Sequence, residues 1–524
     1  MSELQNRPIK KRKQRKKRYI SARFLWLILF LASIVFGITF WRMPMFPTKW
    51  SLFVVGGLAI LDWLTFLITS KLKPSNLFAQ IMNTLLALAL IVINVLLPYY
   101  TERLSNVFSS VLGNEVKISL YVMSDAYKQS HRDIFENSEY TEDMKLSAYG
   151  NAEFITSTAI DGENQKYVLE QLKTDLKVDK VSTVNSSSIQ TAVKKLYENE
   201  GDVLILSDSY LSTVVETEEY KHFKEETKVI GSYLRKIDNS AFTQNQRNLA
   251  DEPFTLFIAG NDQPGELSLE GRTDVDIAVT VNPTTHQILM VNIPRDSFIK
   301  NPAYQNQRDK LTHLGLNGIQ NSLQGLSQLL DTDVNEYMLV NFTTFTDIIN
   351  AVNGVDIDNP FEFTTYFSNR TYPAGRLHLD GELALEYVRE RYSLPNGDFD
   401  RNMHQQIVLS AMIQKLLSPE LIKSFNNILS ALQGKFLTNV SMDTIYALCK
   451  KQLDENIEWN IVKYHLDGDT GSEYCASAPD QLLSVVYLYQ NQLDFVNEQI
   501  DKVLEGSEIS QETLPEGMDD SLEQ

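Results

Sequence analysis

Arginine is concentrated in one part of this sequence. Between Asp251 and Ser410 there are eight arginines and two lysines, while the rest of the chain beyond residue 100 has four arginines and twenty lysines. A planar guanidinium grips a phosphate through two parallel hydrogen bonds, a geometry that a lysine ammonium does not reproduce. Four of these arginines fall at element ends: Arg272 before an apolar run, Arg295 after another, and Arg389 with Arg391 closing a third segment. Spacing refines the picture. In Tyr387-Val-Arg-Glu-Arg-Tyr392 the two guanidinium groups converge only if the backbone is extended or turning. Arg401 and Gln405 are one helical turn apart, on one face near a helix start where free N–H groups also favour an anion. His404 faces elsewhere. Acids complete the set, because Asp262 follows a strand-like run and Asp274 stands two residues after Arg272. Two carboxylates beside bound phosphate oxygens suit Mg²⁺, which Mn²⁺ can replace. Spacing alone equally allows Asp274 to cap or pair with Arg272. There is no HExxH, GxSxG or Walker A pattern, which argues against zinc hydrolases, serine esterases and nucleotide-driven enzymes.

The elements that must position these residues alternate. Phe254 to Gly260, Val275 to Val281, Ile288 to Ile293 and Tyr337 to Val340 read as strands. His313 to Leu330, Phe342 to Val352 and Arg401 to Leu417 read as helices. Such alternation predicts an α/β domain over 250–500, with a central sheet covered on both faces and ligands at the strand ends. A smaller extracytoplasmic α/β unit is expected over 111–240, with strands at Val116 to Val122 and Val203 to Ser207 and helices at Tyr167 to Leu176 and Ile189 to Asn199. Residues 216–247 look charged and helix-prone, 239–248 a linker, and 506–524 an acidic disordered tail. Ile407, Val408, Met412 and Leu416 would serve either as ordinary core or as the wall of an apolar tunnel.

Three apolar stretches, Phe24 to Trp41, Trp50 to Thr69 and Leu77 to Pro98, are each long enough to cross a bilayer. They form an expected anchor over 24–98. The head, 1–23, holds eight positive charges between Lys10 and Arg18. By the positive-inside rule this puts the head in the cytoplasm and residue 101 onward outside, with the basic run against membrane lipid. The formal charge of -19 divides into +12 over the first hundred residues and -31 over the remainder. A domain that acidic repels duplex DNA. Asp62, inside the second span, should face another helix, with Gln80, Asn83 and Asn94 on the third available for interhelical hydrogen bonds. Cys449 and Cys475 fit one disulfide or two free thiols equally well.

The order Asp262, Gly271-Arg-Thr-Asp274, Asn292-Ile-Pro-Arg-Asp296, Tyr387-Val-Arg-x-Arg391 and Asp400-Arg-x-x-x-Gln405 resembles the LytR-CpsA-Psr family. The three-span anchor and extra external unit are similar to those of its capsule-associated members. The resemblance implies transfer of a capsular or other anionic wall polymer from undecaprenyl diphosphate to peptidoglycan, with Mg²⁺. It makes Arg272, Arg295, Arg389 and Arg391 the diphosphate clamp, Asp262 and Asp274 the metal ligands, and Arg401 with Gln405 a grip on the phosphate or adjoining sugar. Asp274 or Asp398 would take the acceptor's proton. One competing reading is polyprenyl diphosphate binding or hydrolysis without transfer, and another is a membrane-bound regulator touching DNA through its basic head, but no helix-turn-helix fits in about 20 residues. Replacing head lysines and arginines by glutamine, in numbers that preserve insertion, is therefore expected to leave wall attachment intact. Loss of attachment with insertion unchanged would count against the enzyme reading.

Overall fold

The computed structural model describes residues 20–42, 48–109, 115–136, 139–236, 249–261, 268–416, 418, 436–455 and 458–517. The chain forms two compact units, one ending at Asn106 and the other beginning at Val107.

In the first unit, helices span Ala22–Trp41, Thr48–Lys71 and Leu77–Ser109. All three are long and apolar enough to cross a membrane. The third continues as helix to Ser109, beyond the expected end of the span at Pro98. Asp62 is buried, and its partner is the Ser33 hydroxyl of the first helix, donating at 3.0 Å. The polar side chains of the third helix bond to other partners: Gln80 to the Ile20 carbonyl just before the first helix at 2.7 Å, Asn83 to the Ala22 carbonyl at 3.1 Å and the Thr69 hydroxyl of the second helix at 3.0 Å, and Asn94 to the Ala32 carbonyl at 3.2 Å. In hydrocarbon such bonds fasten helices that the hydrophobic effect cannot.

The second unit contains two large sheets. The first is built from β1 (Glu115–Met123), β2 (Glu153–Thr156), β3 (Ser182–Asn185), β4 (Val203–Ser207) and β5 (Thr227–Lys236), in the order β3-β2-β4-β1-β5. Helices Gly162–Leu176 and Ile189–Tyr197 lie within it as expected. β5 corrects the helical reading of 216–247. Ser232, Leu234 and Lys236 alternate outward along an edge strand while Arg235 donates inward to Asn164, and antiparallel pairing with β1 from Glu115 to Met123 overrides local helix propensity. Residues 237–248, including the expected linker, lie outside the described residues.

The second sheet begins with the meander β6 (Phe254–Asn261), β7 (Val275–Asn282) and β8 (Gln287–Asn292). A hairpin of β9 (Phe298–Asn301) and β10 (Gln307–Lys310) follows, then the segment expected to be one helix, which breaks at Gly315 to Gly318 before helix Ile319–Leu329. Gly315 is demanded by close approach, since a Cβ there would lie 2.2 Å from the Gly271 carbonyl oxygen. β11 (Val334–Asn341) joins parallel to β6 and leads into helix Phe342–Ala351. A satellite layer of β12 (Val355–Asn359), β13 (Phe363–Thr364), β14 (Thr371–Tyr372) and β15 (Gly375–Leu379) precedes helices Gly381–Arg389 and Asp398–Leu416. β16 (Leu437–Thr438) and β17 (Asn460–His465) complete the order β16-β11-β6-β7-β8-β17, and β18 (Gly468–Cys475) and β19 (Ala478–Leu488) make a last hairpin before helix Gln490–Glu505.

Both faces of this sheet are buried. Ala278, Leu289 and Val291 face a core shared with helices Ile319–Leu329 and Gln490–Glu505. Their neighbours Ile277, Val279, Ile288 and Met290 meet Leu409 of Asp398–Leu416 on the opposite face. Alternate side chains thus serve opposite layers, as a covered α/β sheet requires. Val408 points into the satellite core and Met412 touches both cores. Ile407 and Leu416 pack on the satellite side.

One open alternative is resolved and one further expectation changes. Both cysteines are free: Cys449 packs in the satellite core and Cys475 is buried in another cluster. The segment expected to be a disordered tail docks through residue 517, with Ile509 buried and the Gln511 side chain donating to the Lys463 carbonyl at 2.9 Å. Few apolar residues are enough here because hydrogen bonds to β17 hold the backbone. Residues 518–524 lie outside the described residues. Ile509→Ala is expected to cost about 2–5 kcal/mol in urea unfolding; an unchanged midpoint would mean that the segment does not stay docked in solution.

Candidate functional site

Strand pairing lines up the ends of β11, β6, β7, β8 and β17 along a single edge of the second sheet. Asn341 pairs with Asn261, Val275 with Gly260, and Asn292 with both Ile277 and His465. The loops leaving this edge carry the expected site residues, as strand ends in α/β sheets commonly do.

Backbone hydrogen bonds hold these loops. Gly271 N–H bonds to the Gly315 carbonyl at 2.9 Å, Asp274 N–H to that of Gly260 at 2.7 Å and Thr312 N–H to that of Arg295 at 2.9 Å. Arg272, buried, is ion-paired with Glu216, the last residue of the helix Leu211–Glu216 that follows β4. The Arg295 guanidinium donates to Asp274 and lies 3.8 Å from Asp296. Lys310 closes the chain of charges, its ammonium 2.6 Å from Asp296. Burial pushes the Asp296 carboxyl up, but Lys310 and Arg295 outweigh it and hold the group below its ordinary value.

Asp276 lies on β7, two residues after Asp274, and is 1% exposed. Neither of its oxygens has a hydrogen-bond partner of good geometry among the described residues. Burial, reinforced by Asp274 and Asp296 and opposed by Thr273 and Arg295, pushes it up to about 7. Orphaned buried carboxylate oxygens call for an ion, water or ligand. Together with Asp274 they form an all-oxygen donor set that fits a hard cation such as Mg²⁺.

Arg389 ends its helix exposed, with its guanidinium 4.4 Å from the centre of the Phe342 ring at the start of the helix after β11. The backbone turns there. Glu390 leaves the helix in an extended conformation, and its buried carboxylate accepts the N–H groups of Tyr366 and Arg391, each at 2.8 Å, and of Ser393 at 3.1 Å. Burial raises this carboxyl but the three N–H groups prevail, leaving it below its ordinary value. Arg391 is exposed on the resulting loop. The next helix is brought to β8 by the Asn292 side chain, which donates to the Asn402 carbonyl at 3.4 Å. This places Arg401, half-buried, and Gln405, buried with an unpartnered Oε1 among the described residues, at the same sheet edge. Asp400 accepts from the backbone and side chain of Asn396, a local cap. His404 stacks on Tyr387 at 4.1 Å in the satellite core, and burial lowers it to about 4. Asp262 and the Asp398 side chain lie outside the described residues.

The edge thus joins Arg272, Asp274, Arg295 and Asp296 directly, and brings Arg389, Arg401 and Gln405 in through neighbouring helices. Sequence reasoning missed Lys310, Asp276, Glu390 and Glu216. Lys310 had a readable signal as one of two lysines in the arginine-rich stretch, and Asp276 as an acid inside an apolar strand. Glu216 had none. A second buried cluster, Asp309, His313 and Cys475, has ligand-like atoms within 4.8 Å of one another. The Asp309 oxygens there already serve His313 and Lys310 N–H at 2.8 Å, Ser477 N–H at 2.9 Å and Asn301 at 3.2 Å, so the cluster acts as a staple behind Lys310.

A family model described as the LytR_cpsA_psr family matches residues 211–491. The polyisoprenyl-teichoic acid–peptidoglycan teichoic acid transferase TagU of Bacillus cereus is 32% identical over 228 residues, 43% of this chain and 73% of that protein. The protein of the same name from Enterococcus faecalis is 32% identical over 203 residues, 38% and 66% of the two chains. The crystal structure of a Streptococcus agalactiae protein matches at 27% identity and a TM-score of 0.42, covering 52% of this chain and 94% of that one.

Glu390→Gln keeps one acceptor oxygen where three N–H groups need two, and is expected to cost about 1–3 kcal/mol at neutral pH. A carboxyl depressed in the folded state stabilises above its unfolded value of 4.5 and loses that contribution as pH falls through the folded value. Urea unfolding of wild type and variant should therefore converge as pH drops below 4.5. A gap that stays constant would mean that the carboxylate charge is not what holds the turn.

Proposed function

The chain belongs to the LytR-CpsA-Psr family, and from that premise we propose that it transfers a capsular or other anionic wall polymer from an undecaprenyl diphosphate carrier to peptidoglycan. The observation that carries the reading is the interleaved set Arg272, Arg295 and Lys310 with Asp274, Asp276 and Asp296 at one sheet edge. Phosphoryl transfer asks a protein mainly for positioning and charge neutralisation, and this edge supplies both. Exposed Arg389 and Arg391 capture the diphosphate at the rim, and Arg272 and Arg295 hold it against the sheet. Arg401 and Gln405 grip the phosphate or the sugar beside it. Asp274 and Asp262 would hold Mg²⁺, with Asp276 beside Asp274, and when bound the ion offsets diphosphate charge.

The acceptor hydroxyl oxygen forms a bond to the phosphorus next to the polymer as the bridging bond to the lipid phosphate breaks. Undecaprenyl phosphate leaves with the bonding electrons, and the hydroxyl proton passes to a carboxylate, Asp274 or Asp398. The three apolar helices anchor this chemistry beside its lipid substrate. In the proposed topology the basic head meets cytoplasmic lipid and the sheets lie outside the cell.

Full-length protein in detergent, given a polyprenyl diphosphate substrate, is expected to show Mg²⁺-dependent cleavage that falls at least about 10²-fold in Arg295→Ala and Asp274→Ala. Circular dichroism should be unchanged in both. Wild type that neither cleaves nor binds the lipid would overturn the proposal.

A further inference from the structure

Outside the apolar anchor helices, the three most exposed large apolar side chains among the described residues are neighbours: Phe367 at 81%, Tyr392 at 69% and Tyr366 at 63%. Their ring centroids lie 5.1 Å apart for Tyr366 and Phe367, 5.5 Å for Tyr366 and Tyr392 and 5.8 Å for Phe367 and Tyr392. Water-exposed aromatic clusters are unfavourable unless something covers them. This one is also held rigidly in place. Tyr366 and Phe367 sit at the tip of the β13–β14 hairpin, where Thr365 N–H bonds to the Arg370 carbonyl at 2.9 Å and Arg370 N–H returns to Thr365 Oγ1 at 3.1 Å. The Thr364 and Thr371 hydroxyls bond across the strands at 2.9 Å, and Asn369 takes a left-handed φ of 54° to close the tip.

The platform is tied to the arginine loop by a single carboxylate. Glu390 accepts the N–H of Tyr366 through one oxygen and that of Arg391 through the other, both at 2.8 Å. Whatever Arg389 and Arg391 hold therefore ends beside the rings. We propose that Tyr366, Phe367 and Tyr392 form a stacking platform for the sugar attached directly to the bound diphosphate. The assignment rests on the diphosphate reading above and adds to it a subsite for a pyranose.

The chemistry of the patch favours a sugar over a bilayer. Phe367 stands at 89° to Tyr366 and 88° to Tyr392, which makes a corner rather than a flat wedge. A pyranose offers a C–H face to the electron-rich face of one ring while its hydroxyls stay solvated or bond to the phenol groups of the others. Around the corner Glu362, Ser368, Asn369, Arg370 and Ser393 are all exposed. An inserted wedge would drag these polar and charged groups into the membrane at high cost, whereas sugar hydroxyls can bond to them. Because the loop is ordered before the ligand arrives, little freedom is lost on binding.

The test uses the full chain in nanodiscs with two probes: undecaprenyl diphosphate and the same lipid bearing one N-acetylglucosamine. Wild type is expected to prefer the sugar-bearing lipid. Phe367→Ala and Tyr392→Ala should each weaken that lipid about fivefold to tenfold and leave the bare lipid unchanged, with Phe367→Trp restoring the preference. Equal losses on both lipids, or no loss, overturn the platform. So does a blue-shifted emission of Phe367→Trp in sugar-free nanodiscs, against a background in which only the native tryptophans contribute, because the patch would then be a bilayer contact. Wild-type binding of both lipids with equal affinity removes the platform alone. Binding of neither removes the diphosphate reading as well.

Discussion

Cations gathered at one sheet edge repel one another, and the site exists because carboxylates are set between them. Two like charges about 4 Å apart cost on the order of 4 kcal/mol at a protein surface. Arg295 is accordingly flanked by Asp274 and Asp296, Lys310 shares Asp296, and Arg272 is answered by Glu216. In the proposed reaction a diphosphate would meet donors already desolvated and oriented, and its charge would take over the work of the carboxylates. Both oxygens of buried Asp276 lack a hydrogen-bond partner of good geometry among the described residues.

Holding that edge in place involves more of the molecule than the second sheet. Glu216 precedes β5, so the first sheet supplies the partner of an inner arginine. Asn164, on the helix Gly162–Leu176, and Arg235, on β5, also bond Glu270, at 3.0 and 3.4 Å, immediately before Gly271 and Arg272. Leu316 in turn inserts into the first sheet's core. The match to the family model begins at residue 211 and so takes in Glu216 and β5. Asp309 staples Lys310 from behind, and Glu390 sets the turn that presents Arg391. Buried carboxylates thus serve repeatedly as fasteners for backbone that carries cations, a use in which their lone pairs are matched to N–H groups rather than left exposed.

Much of this was readable from residue order alone. The membrane-length helices, the strands β1, β4, β6, β7, β8 and β11, and the helices at Phe342 and Arg401 follow from apolar period, and period survives packing because it reports which face is buried. The exceptions have a common cause. β5 is missed because the charged, helix-prone run 216–226 leads straight into it, and the docked segment around Ile509 looks disordered because it has few apolar residues. In both, backbone hydrogen bonding to a neighbour distant in sequence decides the outcome, and no local pattern encodes that neighbour.

The same division runs through the site. Arginine enrichment, the paired spacing of Arg389 with Arg391 and the turn they require, and the helical pairing of Arg401 with Gln405 are properties of residue type and local geometry, so the sequence by itself determined them. Which carboxylate meets which cation was decided only by the tertiary structure: spacing offered Asp274 to Arg272, but the fold gives Asp274 to Arg295 and Arg272 to Glu216. The unpaired state of the two cysteines and the meeting of Tyr392 with Tyr366 and Phe367 were settled the same way. Spacing constrains only groups within a turn or two of each other, whereas ion pairs and ring contacts act over a few ångströms in space, where strand order and loop packing choose the partners.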